Sequence, residues 1–462
     1  MSFDPLDISR KYTMKNYGRG SFLKMCERRR QARRNHGHAV AGQPTSVRSH
    51  ADSEVRIGRL PAASPARVTV VTEPTFESIV NETNLLQVFR ELQMTGGRAP
   101  GIDGIRYEEV GRTNAAQLAR WLSKSIRDQT YRPFGNRVVT IKKSDGVRTR
   151  QLELRVLSDR VAAKALQLGL DPFIDQSLLD SCYGGRPGRS VWTLLRDLVN
   201  RMQRDGLWTL VVADIRNAYG NVRIPAVMDD HRRLISDPNL LQLIKVVLQG
   251  ENLRKERGIE QGNAYSPTAL NLRLTNALDQ PWASGSARRP LHRWIDDMVI
   301  PCGSVTEGNE LRDQLAETIA GAGFQLKNTS KPVSLGEGET ADVLGLSLSK
   351  TQSGRQGEVM FGITTRAWNK LTEKLLACHK SEDPPGTAKL VVRGWISIMG
   401  PALQRERIVA VTGRVGDEIR AAGFGTFEPG FLERWSIESC SKWEQFLLGN
   451  QETPAGGTLP SI

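Results

Sequence analysis

The strongest pattern along the chain is a nearly continuous run of apolar and β-branched residues at positions 207–213, which ends at Asp214. Such runs are typical of strands that are buried on both faces of a sheet, because neither face carries the alternating polar residues of a half-exposed strand. The pattern therefore predicts a buried strand, and it places the carboxylate of Asp214 at one edge of a sheet.

A second stretch of strand character, residues 292–300, is interrupted by Asp296 and Asp297. The simplest geometry for an apolar stretch with two acids in its middle is a β-hairpin with the acids at its tip. If this hairpin lies beside the strand that ends at Asp214, three carboxylates converge on one place.

Other segments predict a mixture of helices and strands, and hence an α+β fold. Strands are expected at residues 137–141 and 150–154, because Ser144-Asp145-Gly146 between them is a hairpin signal. A helix is expected at residues 158–172. A further helix is expected beyond about residue 355, where apolar residues recur at intervals of three and four: Trp368, Leu371, Leu375 and Cys378.

The N-terminal part of the chain differs from the rest in composition. Residues 1–75 predict a basic arm followed by a weakly ordered linker rich in Ala, Ser, Pro, Gly and Val. Only Glu27 opposes the basic cluster of this arm, which consists of Lys24, Arg28, Arg29, Arg30, Arg33 and Arg34. Contact with a phosphate backbone is one interpretation of the arm, and a solvated tail without a partner is the other.

The overall charge favours a polyanionic partner. The 462 residues include 64 Lys and Arg against 50 Asp and Glu, a formal net charge of +14. Nucleic acid is the first candidate for a large protein this basic, and a basic surface that serves solubility is the alternative. The five cysteines are scattered without a C-x-x-C pair, which argues against a zinc site or a disulfide framework and favours the reducing cytoplasm. Neither a secretory signal nor a membrane span is expected.

Three converging carboxylates inside a basic protein predict a particular chemistry. Like charges that approach closely repel one another by several kcal/mol in a partly dry site. Divalent cations relieve that repulsion, and carboxylate oxygens suit Mg²⁺. Two such ions can hold the attacking and leaving oxygens of an in-line phosphoryl displacement. The basic residues would then bind the phosphates of the substrate, while the acids bind the metals.

A Gly-rich loop lies between the two acidic segments. Residues 258–267 are expected to lead into a helix that is capped by Ser266 and has Pro267 at its first position. Glycine beside a polar amide, as in Gln261-Gly262, lets the backbone approach a planar ligand closely.

The order of these segments resembles the palm of reverse transcriptases. The palm motifs are Asp214-Ile215-Arg216-Asn217-Ala218-Tyr219, then Gln261-Gly262-Asn263-Ala264-Tyr265-Ser266-Pro267, then Asp296-Asp297. Further segments resemble the finger motifs, the primer-grip hairpin and the thumb of the same family, and the segment at residues 182–190 is similar to the bacterial group II intron branch. These segments include Gly101-Ile102-Asp103-Gly104, Ser158-Asp159-Arg160-Val161, Val343-Leu344-Gly345-Leu346 and Arg393-Gly394-Trp395.

The resemblance, which covers roughly residues 84–400, implies a right-hand polymerase. Its parts would be the N-terminal arm and linker at 1–75, fingers at 76–200, a palm at 201–355, and a helical thumb with a C-terminal tail at 356–462. The implied reaction is RNA-directed DNA synthesis from dNTPs on a DNA or RNA primer, with two Mg²⁺ ions or Mn²⁺ as the alternative.

The resemblance also implies roles for individual residues. Asp214 and Asp296 would bind the metal ions with the carbonyl of Ile215, and Asp297 would support them. Tyr219 would exclude a 2′-hydroxyl group, although the same residue alone would be an ordinary packing aromatic. The remaining nucleotide-binding candidates are Lys143, Arg150, Gln261, Gly262 and Lys331. Arg186 and Arg189 join the arginines of the N-terminal arm as candidates for nucleic-acid contact.

The sequence leaves the biological role open. Trp294-Ile295 precedes the paired acids where the family usually has an aromatic and then a small residue, which fits a divergent member. The template could be a structured intron or another noncoding RNA, in a mobile intron, a retron-like system or an antiviral defence system. A different class of function, an RNA-binding maturase or scaffold with secondary or no polymerase activity, also fits the resemblance.

Overall fold

The computed structural model describes residues 71–142, 149–285, 289–327, 331–351, 358–381, 383–428 and 430–449. The helices in these residues are α1 (Phe76–Val80), α2 (Glu82–Thr95), α3 (Arg112–Arg127), α4 (Leu157–Asp175), α5 (Val191–Asp205), α6 (Ala218–Asn221), α7 (Ile224–Arg232), α8 (Pro238–Gln249), α9 (Ser266–Leu274), α10 (Gln280–Ser284), α11 (Val305–Ala320), α12 (Thr365–Cys378), α13 (Pro384–Ile398), α14 (Ile408–Ala421) and α15 (Phe431–Leu447). The strands are β1 (Arg137–Lys142), β2 (Thr149–Leu154), β3 (Thr209–Asp214), β4 (His292–Trp294), β5 (Asp297–Cys302), β6 (Val333–Ser334), β7 (Ala341–Val343), β8 (Leu346–Lys350) and β9 (Val359–Ile363). The expectation of an α+β fold is confirmed.

The central sheet has four antiparallel strands in the order β4-β5-β3-β6. One of its two inner strands, β3, is the apolar run predicted from the sequence, and it ends at Asp214. The hairpin that was predicted to carry the paired acids is formed by β4 and β5, with Trp294 opposite Asp297 in register. Its loop therefore has two residues, Ile295 and Asp296.

Both faces of this sheet are covered, as the continuous apolar run predicts. Val211, Ala213 and Met298 belong to a core with helices α1 to α4 and with α7, α8 and α9. Leu210 and Val299 belong to a second core with α5, the β7-β8-β9 sheet and the C-terminal helices. Alternate residues of one strand thus join two cores, because successive side chains of a strand point to opposite faces.

Two smaller sheets flank the central one. β1 and β2 pair antiparallel, with Ile141 opposite Arg150, so the predicted hairpin is confirmed in its paired strands. The turn between them, with Lys143, lies outside the described residues. β7, β8 and β9 form a three-stranded antiparallel sheet. The turn from β7 to β8 has positive φ at Leu344 and Gly345, the conformation of a tight two-residue hairpin loop.

One local prediction was wrong by a single position. Ser266 was expected to cap the helix that follows the Gly-rich loop, but it is the first residue of α9, with Tyr265 at the capping position. The Ser266 hydroxyl is buried and has no hydrogen-bond partner. The bond that fixes this helix start comes from the side chain of Asn263, whose Oδ1 accepts from the Tyr265 backbone N–H at 3.0 Å.

The C-terminal helices follow the predicted periodicity. Trp368, Leu371, Leu375 and Cys378 of α12 are all buried in the second core. In the part of the chain that the structure describes, no helix has the length and apolar character that crossing a bilayer requires.

Candidate active site

Three carboxylates meet at one edge of the central sheet. Asp214 at the end of β3 is the register partner of Asp297 at the start of β5, so their Cα atoms are about 4.5–5.5 Å apart. Asp296 precedes Asp297 in the hairpin loop, and its carbonyl accepts the backbone N–H of Ile215 at 3.0 Å. The structure therefore brings together the residues that the sequence predicted to converge.

The electrostatics of this edge show that the carboxylates affect one another. Burial raises the pKa of the Asp296 carboxyl to about 6, and the charges of Asp297 and Asp214 act in the same direction. Burial also raises the pKa of Asp297, again with a contribution from Asp214. The three side chains are only partly exposed, which makes concentrated negative charge costly. The site thus favours a bound cation or a protonated carboxyl.

A lysine from the loop before β6 contacts this cluster. The Nζ atom of Lys327 lies 2.5 Å from Oδ2 of Asp214, and the Lys327 backbone N–H donates to the Asp214 carbonyl at 2.7 Å. The sequence prediction assigned the lysine of this region to position 331. Lys331 is exposed four residues further along. Lys327 is therefore the lysine that the fold places at the carboxylates, and the Lys331 assignment is corrected accordingly.

Two further basic residues act on the carboxylates from helix α12. The positive charges of Arg366 and Lys370 oppose the rise of the Asp297 pKa. The basic face of this helix was visible in the sequence, but a basic helical face by itself is usually a solvated surface. The basic face lies near Asp297 because of the way α12 packs in the second core. No local sequence pattern indicates that packing.

Tyr219 and the Gly-rich loop lie next to each other beside the carboxylates. The carbonyl of Tyr219 accepts the backbone N–H of Ile259 at 2.8 Å. Burial and the charge of Asp296 raise the pKa of the Tyr219 phenol, which is evidence of proximity to the acid cluster. Gln261 is exposed in the same loop. A Cβ atom on Gly262 would lie 2.7 Å from the carbonyl oxygen of Glu153 in β2, so this position requires glycine.

The structure gives Arg186 a role other than the predicted one. Its guanidinium is almost fully buried against Asp175, and its nitrogen atoms donate to that carboxylate and to the carbonyls of Asp175, Leu179 and Cys182. These bonds use all five N–H groups, so Arg186 has none left for a phosphate. The prediction that it binds nucleic acid is corrected to a structural role.

The structure describes the other predicted binding residues only in part. Arg189 is 22% exposed, pairs with Asp180 and lies over the ring of Tyr183. Arg150 lies in β2, whose pairing with β1 is described. The arginines of the N-terminal arm lie outside the described residues, as does Lys143.

The donor set at the carboxylates suits a hard divalent cation, because all three side chains offer oxygen ligands. As the side chains stand, no group of three His, Cys, Asp or Glu residues within the described ranges could hold a metal ion. Because Lys327 contacts Oδ2 of Asp214, a metal ion would use Oδ1 of this carboxylate or displace the ammonium from Oδ2. The three carboxylates fit a divalent metal ion both in their ligand chemistry and in their charge.

The fold and the site together define the class of protein. An antiparallel sheet with two carboxylates on paired central strands and a third in the adjoining hairpin loop, covered by helices, is the architecture expected of an α+β right-hand polymerase. Residues 141–348 match the family model for reverse transcriptase, RNA-dependent DNA polymerase. The match identifies residues 141–348, somewhat less than half of the chain, as similar to reverse transcriptases, and the curated relatives place that similarity in the group II intron-like branch of the family.

Two curated proteins illustrate the relationship. Protein YkfC of Escherichia coli (strain K12) is 28% identical over 233 residues, which cover 47% of this chain and 60% of that protein. The group II intron-encoded protein LtrA of Lactococcus lactis subsp. cremoris is 26% identical over 157 residues, which cover 33% of this chain and 26% of LtrA. The chain therefore spans less than two thirds of either relative. Among solved structures, a Sicinivirus 3Dpol RNA-dependent RNA polymerase is 11% identical with a TM-score of 0.46, covering 83% of this chain and 88% of that one.

Proposed function

We propose that the chain is an RNA-directed DNA polymerase that adds dNTPs to the 3′-hydroxyl group of a primer on an RNA template. The observation that carries this proposal is the pairing of Asp214 with Asp297 across β3 and β5, with Asp296 in the adjoining loop. All three residues lie inside the segment that matches the reverse transcriptase family model.

The carboxylates would hold Mg²⁺, or Mn²⁺ as the alternative. Asp214 and Asp296 would be the principal ligands with the carbonyl of Ile215, and Asp297 would support them. When bound, two such ions supply charge stabilisation for the attacking and leaving oxygens of a phosphoryl displacement. The raised pKa of Asp296 supports this assignment, because it reflects negative charge that a cation would neutralise.

The neighbouring residues would position the nucleotide. Tyr219 would lie under the sugar and exclude a 2′-hydroxyl group, while Gln261 and Gly262 would line the pocket of the nucleotide or template. Lys143 and Arg150 would hold the triphosphate from the β1–β2 hairpin, since a guanidinium suits phosphate oxygens. Catalysis would rest on positioning and on charge stabilisation, without a covalent intermediate.

The proposed architecture assigns residues 76–200 to the fingers, 201–355 to the palm and 356–462 to the thumb and tail. The basic arm at 1–75 would contact the RNA outside the catalytic cleft, and Arg189 is a further candidate for such contact. A cytoplasmic setting is also proposed, since the four cysteines that the structure describes are buried free thiols: Cys182, Cys302, Cys378 and Cys440.

The biological context would be a group II intron, a retron-like system or an antiviral defence system. The branch of the family supports an intron origin, because LtrA is an intron-encoded protein by name. Sequencing the RNA that copurifies with the protein would separate the settings. A structured intron would favour mobility, whereas a short transcript from a neighbouring gene would favour a retron-like or defence system.

Primer extension on poly(rA)/oligo(dT) with Mg²⁺ tests the polymerase proposal. We expect extension by the wild-type chain and none by Asp296→Ala, with RNA binding largely retained in a filter assay. Asp313→Ala, which removes an exposed carboxylate from α11, is the matched control and should extend normally. Extension by Asp296→Ala would show that the site is misassigned. RNA binding without extension by the wild-type chain would favour the maturase or scaffold function.

A further inference from the structure

The loop that carries Asp296 contains a backbone conformation that its residue disfavours. Ile295 has a φ of +56°, in the left-handed region, where a β-branched side chain is a marked outlier. Such a conformation persists only when the surrounding structure enforces it. Because Ile295 lies directly before Asp296, whatever enforces this conformation also sets the direction of the catalytic carboxylate.

A completely buried guanidinium lies beneath this loop. Arg293, at 0% side-chain exposure, donates from Nη1 to the carbonyl of Ile295 at 3.0 Å and to Oδ1 of Asn271 at 2.9 Å. Its Nε and Nη2 atoms donate to both carboxylate oxygens of Asp279 at 2.5–3.2 Å. Nη2 also lies 3.4 Å from Oγ1 of Thr275. Every N–H group of the guanidinium therefore has an acceptor.

Two of the residues that accept hydrogen bonds from Arg293, Thr275 and Asp279, lie in an irregular part of the neighbouring helix. Residues Thr275–Asp279 form a π-helical turn after α9, and this turn contains both Thr275 and Asp279. π-helical turns inside helices occur frequently at functional sites. Here the turn aims two oxygen acceptors at Arg293, and the Thr275 hydroxyl also donates to Asp279 Oδ2 at 3.1 Å.

The same network extends to the segment on the other side of the hairpin. The side-chain amide of Asn271 donates to the carbonyl of Gly184 at 2.7 Å. A Cβ atom on Gly184 would lie 2.7 Å from the backbone nitrogen of Ile295, so this backbone is packed directly against the loop. Ile295 is thus contacted both by the backbone of Gly184 and by the guanidinium of Arg293.

A buried ion pair is a costly way to gain stability, since well-packed apolar residues of similar volume often do as well or better. A guanidinium with fixed directions is, however, well suited to hold one carbonyl in place. We propose that Arg293, supported by Asp279, is a positioning residue that holds Ile295 in its left-handed conformation and thereby sets the separation of Asp296 from Asp214. This inference rests on the proposed function, because it gives the buried pair a role in metal-dependent catalysis.

The test compares Arg293→Lys with Arg273→Lys. Lysine keeps the charge at position 293 but cannot reach Ile295, Asn271 and Asp279 together. Arg273 lies on α9 and pairs with the buried Asp230, so its substitution perturbs a similar ion pair away from the loop. For Arg293→Lys we expect kcat of single-nucleotide incorporation to fall about 10²-fold, with KM for the dNTP within about twofold of wild type. Arg273→Lys should keep the wild-type kcat.

A second measurement does not depend on catalysis. Mn²⁺ binding to the free protein, followed by electron paramagnetic resonance, should weaken about tenfold in Arg293→Lys and stay unchanged in Arg273→Lys.

Asp279→Asn, which keeps the side-chain shape, should show an intermediate loss in both measurements and serves if Arg293→Lys does not fold. The proposal would be overturned if Arg293→Lys and Asp279→Asn both fold and keep the wild-type kcat and Mn²⁺ affinity. It would also be overturned if Arg273→Lys lost as much kcat and Mn²⁺ affinity as Arg293→Lys. If the wild-type chain extends no primer, the polymerase proposal fails, while the Mn²⁺ titration still decides whether Arg293 positions the carboxylates.

Discussion

Lys327 and Asp214 are joined twice, through an ammonium–carboxylate contact of 2.5 Å and through a backbone hydrogen bond of 2.7 Å from the lysine N–H to the aspartate carbonyl. The backbone bond anchors the segment before β6 beside the end of β3. The side-chain contact places a positive charge directly at the carboxylates. In the proposed function, this lysine would stabilise the negative charge that builds up on the phosphates during the reaction.

Lys327→Ala should therefore slow single-nucleotide incorporation about 10- to 10²-fold, because it removes a positive charge from a site where negative charge develops. Lys331→Ala is the matched control, since it removes the same side chain from an exposed position four residues away. We expect its kcat/KM to stay within about twofold of wild type. The opposite ranking of the two variants would restore the original assignment of the lysine to position 331.

The sequence predicted the edge with the three carboxylates because the pattern there is local. A continuous apolar run and a hairpin with two acids identify β3, β4 and β5 with few residues, and antiparallel pairing then brings Asp214 to Asp297. The positions of Lys327 and Lys331 could not be distinguished in this way. They lie in a loop, where no hydrophobic periodicity fixes the register, and only the contacts of the folded chain with Asp214 select Lys327.

Charged side chains that turn inward were the other source of error. Arg186 occurs in a Gly-rich, basic segment that is typical of phosphate contact, yet it binds Asp175 and three carbonyls in the interior. The buried Arg293–Asp279 pair was likewise invisible, because neither residue breaks a strand or helix pattern. A sequence shows which residues carry charge, but the partner of a buried charge comes from tertiary packing.

Tyr219→Ala should lower the selection of dNTPs over rNTPs about 10- to 10²-fold, because a pocket discriminates against an added hydroxyl group mainly by excluding it. Tyr219→Phe keeps the ring and should keep the selectivity, which makes it the matched control. The measurement is the ratio of kcat/KM for dTTP and UTP on the same poly(rA) template. Unchanged selectivity in the alanine variant would mean that Tyr219 only packs against the core beside Asp296.

Glu260→Ala should destabilise the fold by about 3–5 kcal/mol, because it leaves the guanidinium of Arg155 buried without its counter-charge. The two side chains are 2% and 5% exposed and 2.6 Å apart, and they join the end of β2 to the loop that carries Gln261 and Gly262. The free energy of unfolding in urea is the measurement. The double variant Arg155→Met/Glu260→Leu should recover most of the loss, as replacement of both charges removes the desolvation cost.

The control for the Glu260 variant is a surface pair. Glu438→Ala breaks the contact of Glu438 with Lys442, in which both side chains are nearly half exposed, and it should cost no more than about 1 kcal/mol. If Glu260→Ala is no more destabilising than Glu438→Ala, the Arg155–Glu260 pair does not hold β2 against the loop.

Asp171 predicts a pH-dependent component of stability. Burial raises the pKa of this α4 carboxyl to about 6, although the Thr268 hydroxyl donates to it at 2.5 Å. Because the folded state then favours the protonated form, this contribution to stability is fully present below the unfolded pKa of 3.8 and is lost as pH rises through about 6.

Asp171→Asn keeps an acceptor for Thr268 without the charge. The measurement is the free energy of unfolding in urea, for the variant minus wild type. We expect this difference to be about 1–2 kcal/mol larger at pH 8 than at pH 4. Asp313→Asn corrects for the change in net charge. An equal pH dependence in wild type and Asp171→Asn would show that folding does not raise the pKa of the Asp171 carboxyl.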